Sequence, residues 1–225
     1  MTFSIIGYCA RTGMFGVAIT TSSIAVGARC PHARASVGAV STQNITDPAY
    51  GQRILDFLEK GYDADDALGR ALEGREFTEY RQITVVDRTG ATASFSGAKI
   101  LGLNAVSENT HCLAAGNLLK SVEIPAAMTD AFVANSGRHL AERLLRSLEA
   151  GYAAGGEAGP VHSAALLVMD KMPFPLVDLR VDWDDDNPVA RLRKLWTDYA
   201  PQMQAYLTRA LDPSAAPSYG VPGDI

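Results

Sequence analysis

Apolar and polar positions alternate along several stretches of the chain in a way that is typical of β-strands. The first two such stretches, residues 2–10 and 15–21, flank Arg11-Thr12-Gly13, where the glycine favours a tight turn. We therefore predict a β-hairpin over residues 2–21. Further strands are predicted at 35–41, 81–87, 91–96, 111–115, 163–169 and 176–181.

Helical periodicity, bounded by start and stop signals, occupies most of the remaining chain. Asp47-Pro48 is a good helix start, and the apolar stripe that follows it stops at Gly61. A second helix is predicted from Asp63 to Leu72. A helix pair is then expected at 123–134 and 138–150, and a long final helix, bent at Pro201, at 188–211.

The order of these elements predicts the fold class. Strands, a helix pair, strands, a helix pair, strands and a helix follow one another, which favours separate helix and sheet layers over a parallel βαβ sheet. We expect an α+β protein with two sheets and helices outside them. Residues 1–211 are predicted to form a single domain, and the Pro/Gly-rich tail 212–225 lacks the apolar content of a packed element.

Composition and charge narrow the classes of partner. The chain has 225 residues and a net charge of −5, and its 20 Lys and Arg residues are scattered, so no basic face is expected to bind nucleic acid. No stretch approaches the roughly 20 apolar residues that span a bilayer, and no charged leader precedes an apolar run. We expect a cytoplasmic protein that does not bind membranes.

No metal site or cofactor is predicted. The three cysteines are too far apart for a disulfide framework or a CxxC-type zinc site, and the four histidines show no HExxH-like spacing. Asp182, Asp184, Asp185 and Asp186 directly precede Asn187-Pro188, where negative charge favours a helix start. That explanation is preferred over a calcium site.

Thr2 carries the most informative candidate chemistry. Removal of Met1 would give this threonine a terminal α-amine at the head of a strand-like run. Such an amine titrates near about 8 and can act as the base that activates the hydroxyl on the same residue. The alternative is that Thr2 is only a small residue at the start of a strand.

The element order resembles the N-terminal nucleophile (Ntn) hydrolase fold, a four-layer α-β-β-α sandwich with the nucleophile at the start of the first strand. More closely, residues 2–195 look like one bacterial Ntn-hydrolase-like family that is catalogued as a domain of unknown function. The motifs that carry this resemblance are Thr2-Phe3-Ser4-Ile5-Ile6, Ala25-Val26-Gly27-Ala28, the run 33–43, Asp47-Pro48-Ala49-Tyr50-Gly51, Glu79-Tyr80-Arg81-Gln82, Ala115-Gly116-Asn117-Leu118-Leu119 and the run 162–168.

A more distant resemblance to proteasome β subunits implies positions for the catalytic groups. A cation is expected beside the threonine, and because no lysine precedes Lys60, Arg34 is the first choice and Arg29 the second. Arginine can lower the pKa of the amine but cannot relay a proton. The resemblance places Asn117 where proteasome subunits have a serine next to the amine. The alternative is that Asn117 is only a turn residue that tolerates a left-handed backbone.

Further site residues follow from the same resemblance. Ser22 and Ser23 fall where the superfamily places an acid, and solvated strand-end serines are the equally weighted alternative. Thr42, Gln43 and Asn44 leave a strand where a backbone N–H would form an oxyanion hole. The loop 155–162, which contains Glu157, departs from the charge pattern that the resemblance implies for the family. If this loop borders the pocket, substrate choice would differ from that of relatives.

Two hypotheses about function remain. The first is an amidohydrolase in which Thr2 attacks a small-molecule amide. The second is a binding or assembly protein that keeps the fold without turnover, because the superfamily's lysine and early acid are missing. In both cases we expect a homodimer or larger homo-oligomer.

Overall fold

The computed structural model describes residues 2–220. Within that range the protein is an α+β structure in which ten strands form two antiparallel sheets and six α-helices cover their outer faces. The predicted order of helix, sheet, sheet and helix layers is confirmed.

The larger sheet has the strand order β10-β9-β2-β1-β8-β7, so β1 lies in its centre. Antiparallel neighbours flank β1 on both sides, since β2 pairs with all of it and β8 pairs with its first six residues, 2–7. The strands are β1 (Thr2–Cys9), β2 (Met14–Thr21), β7 (Ala105–Asn109), β8 (Cys112–Asn117), β9 (Ser163–Met169) and β10 (Val177–Val181).

The smaller sheet has the order β3-β4-β5-β6 and packs against the inner face of the larger one. Between the two sheets, Ile6, Phe15 and Val17 meet Ala39 and Val86 in an apolar cluster. The strands are β3 (Pro31–Arg34), β4 (Gly38–Asn44), β5 (Arg81–Asp87) and β6 (Thr92–Ser96).

The helices bury an amphipathic face on each outer side. α1 and α2 cover the smaller sheet, and α3, α4 and α5 pack on the larger one, where Phe3 and Ile5 point into the same core as Phe132 and Leu144. The helices are α1 (Ala49–Glu59), α2 (Ala64–Leu72), α3 (Ile124–Ala134), α4 (Leu140–Ala153), α5 (Pro188–Tyr199) and α6 (Met203–Leu211).

Three local predictions were wrong. The predicted strand 35–41 begins only at Gly38, because Ser36 adopts a left-handed backbone conformation (φ 62°) in a turn. Strand β3 precedes that turn, where no strand was predicted. Strand β7 was missed because its side chains are mixed in polarity and only partly buried. Pro201 separates α5 from α6 instead of bending one helix.

The predicted tail is only partly described. A single tight turn, Pro213–Ala215, follows α6, and the Arg209 guanidinium stacks 3.7 Å from the centre of the Tyr219 ring. Residues 221–225 lie outside the described residues. In the part of the chain that the structure describes, no helix is both long and apolar enough to cross a membrane.

Candidate active site

Thr2 is the first residue of the central strand of the larger sheet. It pairs with Thr21 of β2 on one side and Asn117 of β8 on the other. Because Phe3 faces the outer helices and side chains alternate along a strand, the Thr2 side chain faces the smaller sheet. It is 5% exposed, and its Oγ1 lies 3.0 Å from Thr21 Oγ1.

A buried polar network occupies the space between the sheets next to Thr2. Ser4, two positions along the same face, donates to Gln43 Oε1 over 2.8 Å and accepts from Ser41 over 3.1 Å. Gln43 Nε2 in turn donates to Gln82 Oε1 at 2.8 Å. The packing between the sheets therefore changes along β1 from apolar at Ile6 to polar at Ser4 and Thr2.

Asn117 closes this network from β8. Its Nδ2 donates to Gln82 Oε1 over 3.1 Å, while its Oδ1 has no hydrogen-bond partner among the described residues although the side chain is completely buried. Leu118, which follows, has a left-handed φ of 51°, a strained conformation for a branched side chain. An unsatisfied buried carbonyl oxygen is costly, and it can accept a hydrogen bond from an amine or hydroxyl nearby.

Arg34 does not lie beside Thr2. It faces α1, where it forms ion pairs with Asp56 and Glu59, both at 2.8 Å. It also pairs with Gly38 at the start of β4, whereas Gln43, at the other end of that strand, is the residue bonded to Ser4. The structure therefore places Arg34 on another face and at another position than those expected for the cation, because the turn at Ser36 sends the preceding strand to the sheet edge.

Arg29 stabilises the loop that follows β2. Its guanidinium donates to the carbonyl oxygens of Ile24 and Ala25 at 2.6 and 3.0 Å and to Ser23 Oγ at 2.9 Å. The carbonyl of Ser23 also accepts from Ser163 Oγ over 2.6 Å. This loop adjoins the Thr2 end of β2, so the structure brings Ser22 and Ser23 near the candidate site, with Arg29 behind them.

Of the three residues predicted around an oxyanion hole, Gln43 alone enters the inter-sheet network. The backbone N–H of Thr42 donates to the Cys30 carbonyl at 3.0 Å, so it is not available to a substrate oxygen. Asn44 binds the Tyr80 carbonyl and the Leu101 N–H, at 2.7 and 3.2 Å. Its side chain holds two loops together.

Sequence reasoning missed two kinds of residue. Ser4 and Gln82 are buried polar residues on otherwise apolar strands, and the alternation along β1 and β5 was the signal that placed them on the inner face. Glu157 gave no comparable signal because it lies in a loop, yet it is 2% exposed. Burial raises the pKa of its carboxyl group to about 8, although the backbone N–H of Ser22 favours the carboxylate.

A cavity of about 500 Å³ adjoins Glu157. Its walls come from the loop 155–161 and from single residues of α4 and of the segment after β8. The lining residues are Lys120, Tyr152, Gly155, Glu157, Ala158, Gly159, Pro160 and Val161.

Comparison with known proteins identifies two similar solved structures and one matching family. A crystal structure of a protein from Silicibacter pomeroyi assigned to the family DUF1028 is 31% identical, with a TM-score of 0.82 over 88% of this chain and 86% of that one. The Anbu (ancestral beta-subunit) protein of Yersinia bercovieri is 9% identical, with a TM-score of 0.41 over 91% of this chain and 97% of that one. The search of curated proteins gave no match. Residues 2–192 match the Family of unknown function (DUF1028), and the chain belongs to that family.

Proposed function

We propose that the protein is an N-terminal nucleophile amidohydrolase that cleaves the C–N bond of a non-peptide or small peptide amide, with Thr2 as nucleophile after removal of Met1. The observation that carries this proposal is the position of Thr2. It begins the central strand, with its hydroxyl 3.0 Å from Thr21 Oγ1 and the unsatisfied Asn117 amide oxygen opposite it.

The reaction would proceed through an ester. Thr2 Oγ attacks the amide carbonyl while the α-amine of the same residue accepts the hydroxyl proton. The amine then protonates the leaving nitrogen, which breaks the C–N bond and leaves the acyl group on Oγ. Water, deprotonated by the amine, attacks the ester, and a carboxylic acid is released as Thr2 regains its hydroxyl proton.

Asn117 would orient the nucleophile in this mechanism. Its Oδ1 is an acceptor and its Nδ2 is already used by Gln82, so the amide cannot rotate without losing that bond. An α-ammonium group at Thr2 offers three donors, one of which can satisfy this oxygen. Asn117 is therefore assigned the role of positioning residue.

A mechanism-based acylating probe tests the proposal. We expect the probe to label Thr2 of the processed wild type, as located by peptide mass spectrometry, and to label Thr2→Ser but not Thr2→Ala. Because Thr2 is buried, labelling also tests whether a substrate can reach it. Equal labelling of wild type and Thr2→Ala, or complete retention of Met1 in the native host, would contradict the mechanism.

A binding or assembly protein without turnover is the second candidate. The placement of Arg34 against Asp56 and Glu59 favours it, because the cation expected to tune the amine is engaged elsewhere. A screen of small amides and acylated amino acids with mass-spectrometric detection separates the two. Product formation abolished by Thr2→Ala supports the enzyme, and absence of any product from the processed chain supports the binding protein.

We also propose that the protein is a homodimer or larger homo-oligomer. The broad outer helix layers and the proline-rich tail motivate this proposal. Light scattering at micromolar concentration is expected to give at least twice the mass of one chain. A monomeric mass would contradict it.

A further inference from the structure

Glu157 occupies the place that β1 would take if the strand were continued backwards. Thr2 pairs with Asn117, so a residue two positions before Thr2 would lie opposite Leu119 in the same ladder. Glu157 forms a bridge with Leu119 at that position, and the next residue, Ala158, donates its N–H to the Leu118 carbonyl over 2.9 Å. By this register the Glu157 backbone lies beyond the end of β1 at which Thr2 begins, and the left-handed residue Leu118 separates its bridge from the regular β1–β8 ladder.

The other neighbour of β1 reaches Glu157 as well. The backbone N–H of Ser22, directly after the last residue of β2, favours the Glu157 carboxylate and so lowers the pKa of that carboxyl group. Thr21, which precedes Ser22, holds the Thr2 hydroxyl. Glu157 is thus placed between the continuations of the two strands that flank β1.

The carboxylate of Glu157 is buried with little compensation among the described residues, since the backbone N–H of Ser22 favours its charged form but makes no hydrogen bond to it. Neither of its oxygens has a hydrogen-bond partner there, and the residue is 2% exposed. The titratable side chains that share its cavity are Lys120 and Tyr152, and both are exposed to solvent. An ionised carboxylate at such a place requires a cation or several donors.

We propose that Glu157 is the acidic partner of the Thr2 α-ammonium group, which it holds at the head of β1 once Met1 is removed. The inference rests on the proposed function and deepens it. It assigns to a late loop the acid that is missing from the first 46 residues of the chain. Glu157 acts through Thr2 and does not itself contact the substrate, so it is a positioning residue.

The chemistry of the two groups is complementary. The ammonium provides three N–H donors, and Glu157 Oε1, Glu157 Oε2 and Asn117 Oδ1 are three acceptors that lack partners among the described residues. The unperturbed α-amine titrates near about 8, so most of it is charged at neutral pH. Pairing stabilises the charged form of both groups, so the pKa of the amine rises and that of the carboxyl falls.

The test measures the pKa of the Thr2 α-amine through its reactivity and does not depend on catalytic turnover. Thr2 is exposed by co-expression with methionine aminopeptidase and verified by intact mass. The rate of amine acylation by dilute acetic anhydride is then followed from pH 5 to 10 by mass spectrometry of the N-terminal peptide, because only the neutral amine reacts. We expect Glu157→Gln to react about tenfold faster than wild type at pH 7, since one pKa unit corresponds to a tenfold change.

Three variants serve as controls. Glu76→Gln makes the same chemical change at an exposed position and is expected to leave the rate unchanged, as is Lys120→Gln in the wall of the cavity. Glu157→Asp keeps the negative charge, so the pKa of its Thr2 amine is expected to stay above the pKa of the same amine in Glu157→Gln. If Glu157→Gln does not fold, Glu157→Asp provides the test instead. An acylation rate of its Thr2 amine equal to that of an unstructured threonyl peptide would then overturn the pairing.

The possible outcomes separate this inference from the proposed function. An unchanged amine pKa in folded Glu157→Gln overturns the pairing even if the acylating probe still labels Thr2. A lowered amine pKa without probe labelling supports the pairing and contradicts the amidohydrolase. Retention of Met1 in every preparation overturns both.

Discussion

The Asn117 side chain donates its Nδ2 hydrogen to Gln82 Oε1 over 3.1 Å and thereby ties the larger sheet to the smaller one beside Thr2. Gln82 Oε1 also accepts from Gln43, and Gln82 Nε2 donates to the Gly116 carbonyl at 3.3 Å. A single amide on β5 thus satisfies groups from two other strands, β4 and β8.

Replacement of Gln82 by leucine is expected to destabilise the protein strongly. The change leaves the amide donors of Gln43 and Asn117 buried without their acceptor, and each such loss costs about 1–3 kcal/mol. Urea denaturation is expected to show a loss of about 2–5 kcal/mol in the free energy of unfolding. Gln204→Leu, on an exposed position of α6, is the matched control and should shift it by less than about 0.5 kcal/mol.

Glu157 makes the stability of the chain that retains Met1 depend on pH. The pKa is about 8 in the folded state and about 4.3 in the unfolded state, so the folded protein binds the extra proton between these values. The extra proton on Glu157 stabilises the folded state fully below about pH 4, and this stabilisation is lost as the pH rises toward 8. Glu157→Gln should therefore raise the free energy of unfolding at pH 8 by a few kcal/mol, to order of magnitude, and change it little at pH 4.

Denaturant melts of wild type and Glu157→Gln at pH 4, 6 and 8 check this prediction. The difference between the two proteins should grow with pH. A difference that is the same at all three pH values would show that folding does not raise the pKa of Glu157. Glu76→Gln again provides the exposed control.

The ion-pair cluster between α4 and α5 is expected to govern acid sensitivity. Burial alone would raise the pKa of Glu142, but hydrogen bonds from Arg193, Trp196 and Arg146 outweigh it and hold that pKa below the usual range. A depressed folded pKa contributes stability above the unfolded value, near about 4.3, and this contribution is lost as the pH falls through the folded value. Glu142→Gln should flatten the wild-type decline between pH 5 and 2 in thermal melts, whereas a parallel decline in both proteins would contradict the assignment.

Gly16 is expected to tolerate no side chain. A Cβ atom there would lie 2.6 Å from the Leu167 carbonyl oxygen and 2.7 Å from Leu144 Cδ1, in the centre of the larger sheet. Gly16→Ala should therefore cost at least about 2 kcal/mol. Gly69→Ala, which meets nothing within 4 Å in α2, should stabilise the protein by about 0.5–1 kcal/mol. Equal effects of the two substitutions in urea denaturation would contradict this reading.

The fold was largely predictable because its elements carry strong periodicity and clear end signals. Asp63, for example, was predicted as the first residue of α2, and it caps that helix by accepting from the Asp66 N–H. Strand β7 lacked such a signal because it lies at a sheet edge with mixed polarity, and its formation depends on pairing with β8.

The candidate site was less predictable, for a physical reason. Thr2 could be named because it follows Met1 at the head of a strand-like run, and Asn117 because the resemblance to proteasome β subunits implied its position. The position of Arg34 was not predictable, because it depends on which face of an edge strand the side chain occupies. Glu157 was missed because its burial results from packing between segments that are distant in the sequence.

The packing between the sheets changes along β1 from apolar to polar, so we expect the amino-acid sequence to vary in different ways at the two ends of this interface among relatives. At Ile6 and Val17, where contacts are non-directional, single exchanges of similar volume are tolerated. At Ser4, Gln43 and Gln82, every donor is matched to a particular acceptor, so a change at one position requires a compensating change at another. Among family members, substitutions should therefore be independent around Ile6 and should co-vary around Gln82.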